Sequence, residues 1–122
     1  LDLLRIPRGF LDEPAGLLPL GLQKKVEVAR ALAADPKLLL LDEPAGGLNN
    51  EETEALADAL IDVSSRPGLT VVLIDHDMEL VMEICSRICV LNFGRKIAIG
   101  TPEEIRGDPA VIESYLGAPD AA

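Results

Sequence analysis

Two short apolar runs, each closed by an acidic residue, constrain the fold of this chain more than anything else in it: Lys37 to Asp42 and Leu69 to Asp75. A few consecutive aliphatic residues bounded by turn formers, as in Leu38 to Leu41, predict a parallel strand buried on both faces. Between the runs, Leu56, Ala59, Leu60 and Val63 recur at helical spacing. Asn50 can cap that helix, Glu51 and Glu52 place negative charge in its first turn, and Arg66-Pro67-Gly68 breaks it. Strand, helix and strand in this order imply parallel strands joined by a right-handed crossover.

The flanks extend the same α/β plan. From Leu22, the residues Leu22, Val26, Ala29, Leu32 and Ala33 keep one helix face apolar, with Gln23, Lys24, Lys25 and Glu27 largely off it, and Asp35-Pro36 ends the helix. Met78 to Ser86 predicts a third helix with Leu80, Val81 and Ile84 on its apolar side. Arg87 to Leu91 and Lys96 to Ile99 flank Asn92-Phe93-Gly94-Arg95, which predicts a β-hairpin. Thr101-Pro102-Glu103-Glu104 is a capping box with Pro at the first helical position, and Asp108-Pro109 repeats the device, so the tail is expected to form two short helices. The hexapeptide Leu11 to Gly16 recurs letter for letter at Leu41 to Gly46. Only the second copy follows an apolar run; the first follows Arg5 to Phe10 and belongs to a loop, so Asp12 and Glu13 receive no catalytic role.

With 122 residues and aromatics at only 2%, the chain can build one core, made of Leu, Val, Ile and Ala. Its net charge of -10 works against binding a polyphosphate backbone, so no nucleic acid partner is expected. No apolar stretch approaches the ~18 residues that span a bilayer, and any membrane association has to come through a partner. Cys85 and Cys89 have no second pair to complete a metal site, and are expected to be buried thiols of a reducing compartment. No basic segment followed by an apolar one opens the chain, which starts at Leu1 rather than Met, as a fragment or processed product would.

Ligands of open parallel sheets bind beyond the carboxyl ends of the strands, where this sequence places Asp42 and Glu43, then Asp75, His76 and Asp77. Magnesium takes few carboxylates and keeps several waters, so Asp42 can hold Mg2+ through its water shell. Glu43 can polarise a water for attack on phosphorus. His76, the only histidine, can donate a hydrogen bond to a terminal phosphate oxygen, with Asp75 and Asp77 orienting it or staying solvated, solvation being favoured for Asp77. The backbone N–H groups around Gly21, within Leu18-Pro19-Leu20-Gly21-Leu22-Gln23, lie at a helix start, a ready anion site that glycine opens to close approach. Each feature alone has a plainer reading: a strand-to-helix turn, a surface histidine, an ordinary loop-to-helix junction.

Taken in order, the segments resemble the second half of an ATP-binding cassette (ABC) transporter nucleotide-binding subunit. Leu18 to Leu32 is similar to the signature motif and its helix, Leu38 to Pro44 to the Walker B strand with its catalytic Glu43, Gly47-Leu48-Asn49 to the D-loop, and His76 to the switch histidine. The hairpin and Gly100 to Ile105 resemble the tail of importer subunits, and the Pro-x-Gly-Leu-Gln signature resembles the ATPases of branched-chain amino acid importers. Most family members carry Ser and Gln where this chain has Pro19 and Leu22, so within Pro19-Leu20-Gly21 contact with the γ-phosphate would rest on backbone N–H groups near Gly21, and on Gln23. Asn49 replaces the commoner D-loop Asp, and Asn50 stands where the subgroup has Pro.

The resemblance implies an α/β fold: a partial P-loop NTPase (RecA-like ABC ATPase) core of parallel strands with flanking helices, then a C-terminal β-hairpin and two short helices, with the phosphate-loop half missing. Residues 1–17 would end a helical subdomain, 18–100 would form the C-terminal half of the core, and 101–122 a helical tail. It also implies ATP and Mg2+ as ligands of the intact protein, bound weakly or not at all by this chain alone, a homo- or heterodimer with a second ATPase subunit, transmembrane permease partners, and a cytoplasmic location on the inner face of the membrane. In such a dimer Gly21 serves the opposite subunit's ATP while Glu43 and His76 serve their own. No Gly-x-x-x-x-Gly-Lys-Ser/Thr occurs, so the family's phosphate loop is absent, together with the half that carries the Q-loop and the adenine-stacking aromatic residue. In the family the phosphate-loop strand lies between the His76 strand and the Arg87 to Leu91 strand, so repacking, pairing through an edge, or a longer polypeptide is expected. Two other classes remain: a non-catalytic module that pairs with a partner ATPase half, and an ATPase of chromosome-maintenance or repair type, against which the importer-like tail and acidic charge argue.

Overall fold

The expected strands and helices form at the expected places in a computed structural model, which describes residues 3–116. The chain divides into two units, Leu1–Leu80 and Val81–Ala122. In the first, α1 (Leu20–Leu32), β1 (Leu38–Asp42), α2 (Asn50–Ser64) and β2 (Thr70–Ile74) follow one another. The short helix α3 (Met78–Ile84) crosses the division. The second unit holds β3 (Ile88–Asn92), β4 (Arg95–Gly100), and the two short helices expected of the tail, α4 (Pro102–Arg106) and α5 (Pro109–Val111), followed by a π-helical turn over Ile112–Leu116. Leu11 to Gly16 contains no strand, in keeping with its assignment to a loop.

β1 and β2 pair in parallel, with Leu38 opposite Thr70, Leu40 opposite Val72 and Asp42 opposite Ile74. Leu56, Ala57, Ala59, Leu60 and Val63 of α2 are all buried, and with Val28 and Leu39 they build the aliphatic core of this unit. Burial of both sheet faces, expected from the apolar runs, does not hold. Side chains alternate across a strand, and those of Leu38, Leu40, Val72 and Ile74 remain 52%, 68%, 44% and 61% exposed. Among the described residues one aliphatic face of the sheet is uncovered, because the helices of this unit bury only the other.

α2 is capped by Asn49, not by Asn50 as the sequence had indicated. Asn49 is extended at φ -78 and ψ 176, its side chain accepts from Glu52 N at 2.8 Å, and the Glu52 carboxylate accepts from Asn49 N at 3.3 Å. The reciprocal box needs Glu three residues after the cap, a spacing that Glu52 meets with Asn49 and not with Asn50.

In the second unit Phe93 and Gly94 adopt φ 50 and φ 76, the left-handed pair that a two-residue hairpin turn requires. A bulge lies where Val90 opposite Ala98 gives way to Leu91 opposite Lys96. Ile88 and Val90 point inward with Ile105 and Val111, while Cys89, between them on the strand, points out and is exposed. Only Cys85 keeps part of the expected burial, which pushes its thiol above the ordinary range. Thr101 and Glu104 form the expected capping box, and Asp108 caps α5.

Lys25, placed by its pattern off the apolar face of α1, is instead buried with Val28, three residues on. Burial lowers its pKa, the nearby Arg5 guanidinium lowers it further, and Asp58 partly offsets both. Arg5 itself pairs with Asp62 at 2.8 Å and Asp58 at 3.7 Å on consecutive turns of α2.

Two outcomes follow from this packing. Leu40→Thr together with Val72→Thr should leave the chain folded and reduce binding of a hydrophobic fluorescent dye; undiminished fluorescence would mean that this face is not the exposed one. For Lys25, the folded state binds fewer protons between its lowered pKa and the ordinary lysine range, so stability rises with pH across that alkaline window and is lowest below it. Lys25→Met should flatten that rise in urea titrations run at several alkaline pH values.

Candidate active site at the strand ends

Because Asp42 stands opposite Ile74, the two parallel strands finish level, and the residues that follow them leave at one edge. Glu43 N donates to Ile74 O at 2.7 Å, extending the ladder by one step. The backbone of Glu43 then turns with φ 47, a left-handed conformation that costs a non-glycine residue roughly 1 kcal/mol or more. Gly46 N closes the turn on Glu43 O at 3.1 Å. His76 Nδ1 lies 3.3 Å from Glu43 Oε1, with the two side chains 79% and 57% exposed, so water and solute reach both. A carboxylate at Nδ1 favours a proton on that nitrogen and leaves Nε2 for another partner.

Asp42 is exposed, and no hydrogen bond or ion pair occupies its carboxylate among the described residues. No group of three or more His, Cys, Asp or Glu side chains converges there among the described residues. A caged ion does not suit such a donor set. A magnesium ion held by one carboxylate and its own waters does.

Of the two acids that flank His76, Asp77 departs from expectation. Asp77 is not merely solvated: its Oδ1 accepts from Leu80 N at 3.2 Å at the start of α3. Asp75 is withdrawn, its side chain only 3% exposed, with Oδ1 accepting from Asp77 N at 3.0 Å and lying 3.8 Å from His76 Nδ1. Its Oδ2 is buried without a partner among the described residues. An Asp just before a helical run is a cap signal legible in sequence; the burial of Asp75 depends on its neighbours and is not.

The other predicted residues gather at the start of α1. Pro19 takes the N-cap position and has no side-chain bond to offer, while Pro19 O accepts from Leu22 N and Gln23 N, each at 3.0 Å. Gly21 N donates to Glu52 Oε2 at 3.1 Å. The Gln23 side chain turns back, donating to Leu18 O at 2.8 Å and Gly16 O at 3.4 Å. Leu20 reaches towards Gly47, where φ is +80 and an added Cβ would lie 3.0 Å from Leu20 Cδ2. The structure thus brings Glu43 to His76, and Gly21 to Glu52, whose other carboxylate oxygen accepts from Asn49 N. Among the described residues no hydrogen bond joins Gly21 or Gln23 to Glu43 or His76. The sequence had assigned Glu52 only a helix-dipole role, although its place three residues after Asn49 was visible.

Comparison with known proteins gives the chain's relatives. Residues 95–121 match a family model described as a branched-chain amino acid ATP-binding cassette transporter. The chain is 47% identical over 108 residues to the high-affinity branched-chain amino acid transport ATP-binding protein BraF of Pseudomonas aeruginosa, across 88% of this chain and 42% of that protein. It is likewise 47% identical over 106 residues to LivG of Escherichia coli K12, a protein of the same description, across 87% of this chain and 42% of that protein. A crystal structure of an ATP-binding cassette of an ABC transporter in its ADP conformation superposes with a TM-score of 0.81 at 28% identity, covering 96% of this chain and 47% of the other. The chain therefore spans less than half the length of the relatives it matches.

The contact between Gly47 and Leu20 can be measured against Gly68, which has φ +77 but open space around it. Gly68→Ala should lose only the backbone preference, about 1 kcal/mol. Gly47→Ala should lose more in the same urea unfolding experiment; equal losses would show that Leu20 does not pack there.

Proposed function

The chain is an ABC transporter ATP-binding sequence matching the C-terminal half of such a subunit, and from that premise we propose that it supplies the hydrolytic half of an ATP site that powers amino acid import. The contact that carries the reading is His76 Nδ1 to Glu43 Oε1, 3.3 Å, on the rim where both parallel strands end. Bound Mg2+ and ATP would supply the electrophilic phosphorus and neutralise its charge. Asp42 would hold the ion through water. Glu43, exposed and at the turn, takes the proton of an attacking water. His76 is fixed at Nδ1 by Glu43 and meets a phosphate oxygen through Nε2. That oxygen accepts only from a protonated nitrogen, so the imidazolium is the form that serves both partners.

The backbone N–H of Gly21, with Pro19, Leu20 and Asn49 around it, serves the terminal phosphate of an ATP held by a second subunit, homologous or identical. In this structure the Gln23 amide donates to Leu18 O and Gly16 O and the Gly21 N–H to Glu52 Oε2, so a phosphate contact at either group replaces a bond already made. Among the described residues no helix is long and apolar enough to cross a membrane. Transport then requires permease subunits, with this chain on the cytoplasmic face. The relatives named for branched-chain amino acid transport support that solute class.

Where the polypeptide carries no Gly-x-x-x-x-Gly-Lys-Ser/Thr beyond these 122 residues, which hold none, a second reading applies: a module that pairs with a partner ATPase half without turnover of its own. Titration with ATP separates the two, since an ordered chain with no nucleotide affinity supports the module. In a subunit that carries both halves, Glu43→Gln should slow ATP turnover by about a hundredfold or more while ATP binding persists. Retention of most of the rate would remove Glu43 from the mechanism.

A further inference from the structure

α1 begins on a proline that cannot cap it, and its Gly21 N–H is bonded instead by a carboxylate thirty-one positions on, Glu52 Oε2 at 3.1 Å. The other oxygen of that carboxylate, Oε1, accepts from Asn49 N at 3.3 Å. The second capping box of the molecule shows how unusual this is. Glu104 there accepts from its own cap, Thr101 N, at 3.3 Å and makes no hydrogen bond to another element among the described residues. Glu52 does the same for Asn49 and spends its remaining oxygen on a different helix. The fit is close: a Cβ on Gly21 would lie 2.9 Å from Glu52 Oε2 and 3.5 Å from both Cβ and Cγ of Glu52, so only glycine admits the carboxylate at this distance.

We propose that Glu52 is a positioning residue that locks the first turn of α1 to the Asn49 turn, and that a phosphate oxygen reaches the Gly21 N–H only by displacing it. One N–H cannot serve two anions, and two anions at hydrogen-bonding distance repel. Displacement therefore frees Asn49 N in the same event, because both amides are held by one carboxylate. Phosphate arrival at the signature segment is thereby communicated to the turn that follows Glu43. The lock stands on the hydrogen bonds alone; the displacement by phosphate rests on the reading of Gly21 given above.

Amide hydrogen exchange and NMR on the full 122-residue chain test both parts. In Glu52→Ala, exchange at Gly21 and Asn49 should quicken together by about tenfold, while amides in the middle of α1 and α2 keep their protection. Glu104→Ala, as a control, should change Thr101 and leave Gly21 untouched. A Gly21 amide indifferent to Glu52→Ala, or a loss of protection spread evenly through both helices, would overturn the lock. Glu52→Gln then removes the charge while keeping the side-chain length. The Gly21 resonance should respond to inorganic phosphate at a concentration roughly fivefold lower than in the unmodified chain, the effect of deleting one like charge about 4 Å away in water. An equal or weaker response in Glu52→Gln would overturn displacement. No response in either chain, with the exchange result intact, would count against Gly21 as a phosphate donor and leave the lock in place.

Discussion

The parallel register of β1 and β2 is the constraint on which the rest depends. With Asp42 level with Ile74, one further backbone bond from Glu43 N to Ile74 O is enough to set an acid and an imidazole 3.3 Å apart. A slip of one residue would turn Leu39 out of the core and move Glu43 out of reach of His76. The buried face of α2, with Leu56, Ala59 and Val63 fully covered, protects that register because it accepts only one face of the sheet.

Around this pair the chain distributes its polar groups unevenly. Asp42, Glu43 and His76, the groups to which the proposal gives the ion, the water and the phosphate, are open to solvent, whereas the acids that flank or support them are engaged in backbone bonds. Asp77 caps α3, Asp75 is buried beside the imidazole, and Glu52 bridges two amides. Reactive groups are therefore displayed on turns whose shape is held by their less reactive neighbours, a division of labour expected where loops carry function on a rigid scaffold.

What could be read from the sequence was whatever depends on local pattern. The apolar runs before Asp42 and Asp75 became β1 and β2, the turn before Arg95 became a hairpin, and Thr101 with Glu104 became a capping box. What escaped was set by packing between distant segments. Lys25 is buried because α1 is rotated from its apparent apolar stripe, and Cys89 is exposed because strand alternation favours Ile88 and Val90 for the inside. Leu40 and Val72 are bare because apolar composition alone does not say which elements are present to cover a sheet. The Glu52 to Gly21 bond joins residues with no sequence relation, and only the approach of α2 to α1 reveals it.

The left-handed backbone at Glu43 carries a consequence of its own. At φ 47 the conformation is one that glycine occupies freely and a long acidic side chain does not. Folding, acting alone, would prefer to lose this side chain; the proposed hydrolytic role requires it. The position is therefore one where selection for robustness and selection for turnover pull towards different amino acids, and a library sorted only for thermal tolerance would be enriched in well-behaved chains that have lost their acid.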